Sequence, residues 1–354
     1  MRPNLRRRVR QLRDQGIVAT ARRARDRWDK LDAVQFGLRR AIVPLLVRHD
    51  SGPRTIDAPA TTPIVLCIVR NGRPWLRSFL AHHRGLGFRH FVILDNGSTD
   101  GTPAALRQEG DVTLLTSTAP YRAYENTLKR YLVDRFGKDR WCLFVDIDEQ
   151  FDFPSSRTRG LDGLIGYLDG HGYTAVVTQM LDMFADRPLA DCRIDDLESV
   201  RAMFPLCDLA SIRRTRYPFA DIAPIEMHWD GVRKRVFGSD NGLTKISFFR
   251  NVSGLKTFVQ WHHVAGGRIA DLSAVLFHYP FVDTFAAKVS DAVSSGRYGY
   301  RTSDEYAAYG RTTTAPAFRI TSPAAIRLGD VEELVAHRFL IASPAFDRFG
   351  QDRD

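Results

Sequence analysis

The chain has 354 residues, of which 44% are apolar, and it carries a formal net charge of +10. This length favours one large domain with additions, or two domains. The longest apolar run near the N-terminus, AIVPLLV at residues 41–47, is too short for a transmembrane helix, which needs about 20 apolar residues. Residues 1–50 hold thirteen arginines and one lysine against five aspartates, and therefore +9 of the total. The nearly neutral remainder excludes a body built as a nucleic-acid groove.

The four cysteines stand at positions 67, 142, 192 and 207, and none forms a Cys-x-x-Cys pair. Cys67 and Cys142 fall in predicted strands, where a thiol packs as a small apolar side chain. This pattern indicates reduced thiols, without a disulfide framework or a zinc site. The arginine-rich N-terminus also lacks the apolar core of a secretory signal. The sequence therefore predicts a cytoplasmic protein.

Residues 1–50 are predicted to form a basic helical arm, followed by a linker at residues 51–62, SGPRTIDAPATT. Apolar side chains in the arm recur at three- and four-residue spacing and would form one face: Trp28, Leu31, Val34 and Leu38. Such a face either packs on the rest of the protein or lies on an anionic membrane surface. The second interpretation would place the protein peripherally on the cytoplasmic face of the membrane.

From residue 63 onward, apolar strands alternate with helices. Strands are predicted to begin at residues 63, 90, 112 and 141, with helices between them. A β-α-β-α-β-α-β order with continuously apolar strands predicts an α/β fold with a Rossmann-like, mostly parallel sheet covered on both faces. Beyond residue 150 we expect a helix at 160–170, a strand at 173–181, and strands containing KISFFRN, KTFVQWHHV and SAVLFHYPF. A helical tail closes the chain.

Polar residues follow three of these strands where each one ends. The strand ends read Arg70-Asn71, Asp95-Asn96 and Asp146-Ile147-Asp148. Ligands of open α/β sheets bind outside the carboxyl ends of the strands, so these residues are expected at one site. Asp146 and Asp148 are two apart on a predicted strand and would project to the same face. Paired carboxylates of this kind suit a hard divalent cation.

Three other interpretations apply to these acidic motifs. An Asp-x-Asp at a strand end also caps turns. A calcium loop in DNGSTDG is excluded, because placing Gly101 at loop position six puts Arg107 where the bidentate glutamate belongs. A haloacid-dehalogenase-type phosphatase also has Asp-x-Asp after an apolar strand, and Asp195-Asp196 supplies a later acidic pair. In that motif Thr or Val follows soon after the second Asp, whereas Glu149 follows here.

The segment VRNGRPWLRSFLAHHRGLGFRHFVILDNGSTDGT, followed by WCLFVDIDEQF, resembles the family 2-like glycosyltransferases with the GT-A fold. It is closest to a bacterial branch that is also similar to family 92 enzymes. The resemblance covers residues 63–153 through three motifs in order, and later blocks such as DGVRKRVFG, LTKISFF and LFHYPF more weakly. It implies a nucleotide-sugar-binding half at residues 63–160, an acceptor-binding half at 161–290 and a C-terminal helical tail at 291–354.

The resemblance also implies roles for individual residues. Those implied to contact the donor nucleotide are Val69, Arg70, Asn71, Asp95 and Asn96, with Asp95 bonded to the base. Those implied to hold Mn²⁺ or Mg²⁺ are Asp146, Asp148 and His278. Asn126, on the helix before the acidic motif, is a further donor-binding candidate, with a helix-surface role as its alternative. Gly72 departs from the pattern, because related enzymes commonly have glutamate there.

The implied reaction is metal-dependent transfer of a hexosyl group from a nucleotide-diphosphate sugar to a hydroxyl acceptor, with inversion expected. The acceptor would be a glycan or glycolipid of the cell envelope or an exopolysaccharide. Asp182 and Glu226 are the candidates for the general base. Arg233, Arg235 and Lys245 are candidates to neutralise phosphate, with a solvated basic loop as the alternative. A haloacid-dehalogenase-like phosphatase and an inactive sugar-nucleotide-binding protein remain as other function classes.

Overall fold

The structure is a computed structural model that describes residues 37–195, 197–217, 225–257, 264–298, 300–313 and 317–349; at residues 300 and 301 it describes the backbone alone. The chain forms two compact units, Met1–Leu46 and Val47–Asp354. Trp28, Leu31 and Val34 of the predicted arm face lie outside the described residues. The proposed halves on either side of residue 160 stay a prediction, as do the other domain bounds.

Residues 37–46 are helical and are called the arm helix below. Its apolar side chains Leu38, Ile42 and Leu45 are 60%, 42% and 82% exposed. Residues 47–50, predicted as the end of the helical arm, belong instead to a strand that pairs with the central sheet. Among the described residues, no helix has both the length and the apolarity needed to cross a bilayer.

In the part of the chain that the structure describes, nine strands form the central sheet and two further pairs of strands lie outside it. In chain order the strands are β1 (Val47–Ser51), β2 (Ile64–Val69), β3 (Phe91–Asp95), β4 (Val112–Ser117), β5 (Trp141–Phe144), β6 (Glu149–Asp152), β7 (Ala175–Asp182), β8 (Leu206–Cys207), β9 (Ile212–Arg216), β10 (Glu226–Asp230), β11 (Thr244–Arg250), β12 (Ile269–His278) and β13 (Ile326–Arg327). The order across the sheet is β1-β4-β3-β2-β5-β11-β7-β12-β6.

The helices that follow the arm helix lie between or after these strands. They are α1 (Arg73–Leu86), α2 (Thr102–Leu106), α3 (Tyr121–Phe136), α4 (Ser156–Gly170), α5 (Val232–Phe237), α6 (Phe285–Ser295), α7 (Tyr300–Thr312), α8 (Val331–Ala336) and α9 (Pro344–Arg348). Helix α1 shows how the sequence sets its ends: Pro74 occupies its first turn, and Gly87 ends it with a left-handed φ of 119°.

The N-terminal half of the sheet confirms the predicted α/β fold. β4, β3, β2 and β5 are neighbours and parallel, and β2, β3 and β5 are buried along their whole length. Strands covered on both faces need continuous apolar runs, which these segments have. β3 and β4 follow on one side of β2, whereas β5 lies on the other. Right-handed crossovers therefore place α1 and α2 on one face of the sheet and α3 on the opposite face.

The segment WCLFVDIDEQF does not form one strand. β5 ends at Phe144, and β6 begins at Glu149 and pairs antiparallel with β12 at the far edge of the sheet. The prediction that Asp146 and Asp148 lie two apart on a strand is therefore wrong, because both lie in the connection. The Glu149 N–H donates to the Asp146 carbonyl and the Asp146 N–H donates to the Glu149 carboxylate, each at 3.0 Å, which closes a tight turn.

The helices that follow β10 and β12 pack together through aromatic side chains. An aromatic cluster that includes Phe237, Phe281, Phe285 and Tyr309 packs α6 and α7 against α5. We call residues 285–312 the α6–α7 hairpin. The predicted helical tail holds for α7, but beyond it the chain forms a two-residue strand and two short helices. All four cysteines are free and buried. Cys67 and Cys142 lie in buried strands, β2 and β5, as predicted. The strand predicted from KTFVQWHHV falls largely on residues 258–263, outside the described residues.

Candidate active site

The ends of β2 and β3 lie side by side and bring three of the predicted donor-binding residues together. Val69 is paired with Asp95, and the N–H of Asn96 donates to the Val69 carbonyl at 2.8 Å. All three residues are buried. The ends of the two strands are thus held together by this backbone hydrogen bond, with the Asp95 and Asn96 side chains at the same edge.

Asp95 has one satisfied and one unsatisfied carboxylate oxygen. Its Oδ1 accepts hydrogen bonds from the N–H groups of Gly97 and Ser98, each at 3.0 Å, which fixes the turn after β3. Its Oδ2 is buried and has no hydrogen-bond partner among the described residues. Leaving a buried acceptor unpaired costs about 1–3 kcal/mol. This oxygen is thus set to accept a hydrogen bond from a bound molecule.

The two asparagines of the site hold its loops in place. Asn71 has a left-handed φ of 55°, and its Oδ1 accepts the N–H of Thr99 at 2.8 Å. The Nδ2 of Asn96 donates to the carbonyls of Ser117 and Ala119 at 2.8 and 3.0 Å. Both side chains therefore have structural duties, and a donor contact by either stays a proposal.

The packing around Gly72 leaves no room for the glutamate that the sequence resemblance leads one to expect at this position. A Cβ at this position would lie 2.4 Å from the Val69 side chain and 3.0 Å from that of Ile147. Atoms this close clash, so any side chain at position 72 would force the loop apart. The backbone N–H of Gly72 instead donates to the Thr102 hydroxyl at 3.0 Å. This loop therefore has no room for the glutamate.

Lys245 neutralises two of the three acids after β5. Its Nζ lies 2.5 Å from Glu149 Oε1 and 3.1 Å from Asp146 Oδ2. Burial raises the pKa of Glu149. Burial would also raise the pKa of Asp146, but Lys245 and Lys129 hold that pKa below its usual range. Lys245, predicted as a candidate phosphate ligand, is thus an internal counter-ion on β11.

Asp148 has its own positive partners. Its Oδ2 lies 2.9 Å from Lys288 Nζ and 3.6 Å from His278 Nε2. Its carbonyl accepts the N–H of Tyr279 at 2.9 Å. This bond ties residues 146–149, which we call the acidic turn, to the end of β12. Burial would raise the pKa of Asp148, but Lys288 and His278 hold it well below its usual range. The crowded acids after β5 are therefore stabilised by two lysines and a histidine.

His278 is oriented by Asp182 from the neighbouring strand. The two residues are paired between β12 and β7, and His278 Nδ1 donates to Asp182 Oδ1 at 2.6 Å. Asp182 Oδ2 accepts from Arg233 Nε at 2.8 Å. Burial would lower the pKa of His278, but Asp148 and Asp182 raise it to about 9. Both oxygens of Asp182 are engaged, which favours a positioning role for it over that of general base.

Glu226 and Asn126 have exposed side chains, and neither is bonded to the acidic residues described above. Glu226 is exposed at the start of β10, and its carbonyl accepts the Gln179 amide of β7 at 2.9 Å. Asn126 is exposed on α3.

Arg235, on α5, bonds to Asp208 at 2.8 Å. Asp195 of the later acidic pair bonds to Arg193 at 2.8 Å, and Asp196 lies outside the described residues. The predicted roles of Glu226 and Asn126 stay predictions.

The α6–α7 hairpin contributes residues that the sequence patterns did not indicate. Besides Lys288, its Arg297 donates to Asn96 Oδ1 at 2.8 Å, and its Asp291 lies 3.5 Å from an Arg70 nitrogen. The Arg297 guanidinium also lies over the ring of Tyr121 at 5.0 Å. The hairpin thus meets the ends of β2, β3 and β5 and surrounds the candidate site with positive charge.

Two side chains at the acidic turn, Asp148 and His278, could contribute ligands to a divalent cation. His278 has Nδ1 fixed by a carboxylate and Nε2 facing Asp148, which is the arrangement of metal-ligating histidines. Asp146, in contrast, is tied to Lys245. Among the described residues, no group of three or more His, Cys, Asp or Glu is arranged to hold a metal ion. Asp148 and His278 could therefore supply only two ligands, and an ion held by them would need phosphate or water for the rest of its shell. Binding would also require His278 to lose its proton.

Neither a protein-family model nor a curated protein sequence matches the chain. Among solved structures, it is similar to a mannosyltransferase from Pyrobaculum calidifontis determined in complex with GDP-mannose and Mn²⁺. The similarity covers 43% of this chain and 46% of that one, at 22% sequence identity and a TM-score of 0.26. The chain thus spans less than half the length of that enzyme.

Proposed function

We propose that the protein is a glycosyltransferase that takes a nucleotide-diphosphate sugar as donor. The observation that carries the proposal is the buried, unpartnered Oδ2 of Asp95 at the same sheet edge as the acidic turn. A pyrimidine or guanine base offers the N–H that this oxygen needs. The cationic side chains Arg70, Lys288 and Arg297 lie around the same edge and suit an anionic diphosphate.

In this proposal each part of the site has one task. Asp95 binds the base, and Asp148 and His278 would hold Mn²⁺ or Mg²⁺. When bound, the ion would act as a Lewis acid that stabilises the departing diphosphate. Asp182 orients His278, as carboxylates do for metal-bound imidazoles. Arg233 in turn keeps Asp182 ionised, since it lies 2.8 Å from that carboxylate.

The acceptor side of the reaction follows the same proposal. An acceptor hydroxyl would attack the anomeric carbon while a carboxylate removes its proton. Glu226 is the better candidate for this base, because it is exposed whereas Asp182 is buried and doubly bonded. Transfer of a hexose with inversion, to a glycan or glycolipid of the envelope or an exopolysaccharide, is the form of the reaction that we propose.

One observation favours a second candidate, a protein that binds a sugar nucleotide without transferring the sugar. Lys245 and Lys288 occupy oxygens of Asp146 and Asp148 that a metal would need. If these lysines stay in place when the donor binds, no metal ion can stabilise a departing diphosphate. The sugar would then not be transferred. Turnover separates the two candidates, because a binding protein shows affinity for the donor and no consumption of it.

A thermal-shift screen of UDP-, GDP-, CMP- and dTDP-sugars, with and without Mn²⁺, tests the proposal. A ligand that binds only the folded state stabilises it by about 2.7 kcal/mol at one hundred times its dissociation constant. We expect one nucleotide class to raise the melting temperature, and we expect Mn²⁺ to increase the rise. Asp95→Asn should reduce that rise, because its amide no longer offers an ionised acceptor to the base. Asp162→Asn, on the exposed face of α4, is the matched control and should leave the rise unchanged.

The screen also has outcomes that contradict the proposal. If no sugar nucleotide stabilises the protein, the donor site is wrong. If the protein instead releases phosphate from p-nitrophenyl phosphate without an acceptor, the phosphatase alternative gains. If donor binding is unaffected by Asp95→Asn, the base lies elsewhere even though a donor is bound.

We also propose that the N-terminal arm binds anionic membranes, which would place a cytoplasmic enzyme close to a lipid-linked acceptor. Leu38, Ile42 and Leu45 follow at four- and three-residue spacing on the arm helix, and all three are exposed. Basic residues near an anionic leaflet contribute about 1 kcal/mol each. The protein should therefore co-sediment with phosphatidylglycerol vesicles at low salt and be released at high salt.

Replacing Leu38, Ile42 and Leu45 together by serine should abolish this co-sedimentation. Val293→Ser is the control, because Val293 is an exposed apolar residue outside the arm. Binding equal to that of phosphatidylcholine vesicles would refute the membrane role. A triple variant that keeps vesicle binding but melts at lower temperature would favour the alternative, in which the arm braces the rest of the protein.

A further inference from the structure

Three groups converge on a single oxygen of the acidic turn. Asp148 Oδ2 lies 2.9 Å from the Lys288 ammonium and 3.6 Å from His278 Nε2. The Lys288 ammonium also lies over the Trp75 ring, 5.2 Å from its centroid. A positive charge is therefore already present where the proposed metal ligands meet.

We propose that Lys288 is a built-in counter-ion that competes with the divalent cation for Asp148. The inference rests on the proposed function, because it assumes that the site takes a metal with its donor. An ammonium group has three N–H donors and no lone pair, so it cannot share in coordinating a metal. It can only repel a second cation at the same oxygen. Lysine and metal therefore compete for this oxygen of Asp148.

The competition makes metal and donor binding cooperative. Without a donor, a metal ion that takes Asp148 leaves Lys288 with no carboxylate partner. A bound diphosphate supplies a new anionic partner for this ammonium and so frees Asp148. By linkage, the diphosphate then strengthens metal binding by the same factor by which the metal strengthens diphosphate binding. Lys288 thus keeps the donor-free site from holding a metal ion tightly.

The contacts of the hairpin place this exchange at the donor pocket. Lys288 belongs to α6, and the same hairpin reaches Asn96 through Arg297 and Arg70 through Asp291. A ligand between the ends of β2, β3 and β5 therefore meets Lys288 and Arg297 together. This placement supports the diphosphate, and not a distant anion, as the group that takes over Lys288.

The test measures Mn²⁺ binding to the full-length protein without nucleotide. Binding is detected as a loss of the electron paramagnetic resonance signal of free Mn²⁺. Lys288→Met removes the charge but keeps the length of the side chain, and Lys288→Gln keeps a polar end. Both should bind Mn²⁺ about tenfold more tightly than the wild type, which corresponds to removal of one like charge near the ion. Lys234→Met is the control, since Lys234 lies on α5, away from the α6–α7 hairpin, and pairs with the exposed Asp240.

A double variant locates the gain. Asp148→Asn combined with Lys288→Met should bind Mn²⁺ no better than the wild type, because the oxygen that gained the ion is no longer charged. Unchanged or weaker binding in folded Lys288→Met and Lys288→Gln, or a gain that survives Asp148→Asn, overturns the inference. If the Mn²⁺ experiment contradicts the proposed competition but sugar transfer is observed, the proposed function still holds. Failure of every donor in the thermal-shift screen refutes the proposed function and leaves the Mn²⁺ result standing.

Discussion

Replacing Asp148 with asparagine is expected to abolish sugar transfer while the protein remains folded. The variant keeps the shape of the side chain but removes the anionic oxygen that faces both Lys288 and His278. Loss of an outer-shell partner of a metal ligand typically costs 10–100-fold in metal affinity or activity, and loss of a proposed ligand should cost at least that much in Mn²⁺-dependent turnover. The measurement is donor consumption in the presence of acceptor and saturating Mn²⁺.

The structure changes the expected effect of this substitution on stability. Acids that repelled one another would make the variant more stable, but Asp148 is paired with a lysine and a histidine. Removing it leaves the Lys288 ammonium without its carboxylate, so the free energy of unfolding should fall by about 1–3 kcal/mol. Asp240→Asn, which breaks an exposed pair with Lys234, should change neither turnover nor stability measurably. Full transfer activity in Asp148→Asn would show that the acidic turn is not the metal site.

The parallel half of the fold could be predicted from local sequence because its strands are buried on both faces. A strand of this kind is a short, continuous apolar run, and the segments at Ile64–Val69, Phe91–Asp95 and Trp141–Phe144 are such runs. Their order along the chain, with helices between them, then limits the topology. The polar residues that follow these runs came together at one edge for the same reason.

The acidic turn could not be predicted in this way. WCLFVDIDEQF keeps an apolar pattern through Val145 and Ile147, so nothing local marks the reversal of the chain after Phe144. The reversal depends on β12, which supplies the partner strand for β6 more than a hundred residues later. A local pattern cannot contain information about that pairing, and the acids were therefore placed on a strand.

The positive partners of the acids were missed for a related reason. Lys245 and Lys288 lie 99 and 140 residues from the aspartates that they contact. Lys245 belongs to the LTKISFF block on β11 and Lys288 to an ordinary segment of α6, and neither segment has a local pattern that indicates an ion pair with the acids. The crowding of Asp146, Asp148 and Glu149 did indicate that positive charge must be near. Whether that charge is a metal ion or a lysine depends on tertiary structure, and the donor-free protein places lysines there.

The largest effect on stability is expected from Arg233→Met. Arg233 and Asp182 have side chains that are only 7% and 3% exposed, and they are joined at 2.8 Å. Arg233 also lies 2.9 Å from Glu305, which accepts a further hydrogen bond from Tyr309. Removing the guanidinium takes a buried cation away from both carboxylates, so that Asp182 keeps the His278 ring and Glu305 keeps the Tyr309 hydroxyl. Breaking a buried pair in this way costs about 3–5 kcal/mol, to be measured by urea unfolding.

The neighbouring residue on α5 provides the matched control for that loss. Lys234→Met removes the same charge from an exposed pair with Asp240, and should cost no more than about 1 kcal/mol. Combining Arg233→Met with Asp182→Asn should restore part of the stability, because no charge then remains unpaired at Asp182. Metal-dependent turnover should stay low in the double variant, since the substituted amide no longer supplies the carboxylate that orients His278. If Arg233→Met costs no more than Lys234→Met, Asp182 does not depend on Arg233, and the support proposed for His278 is wrong.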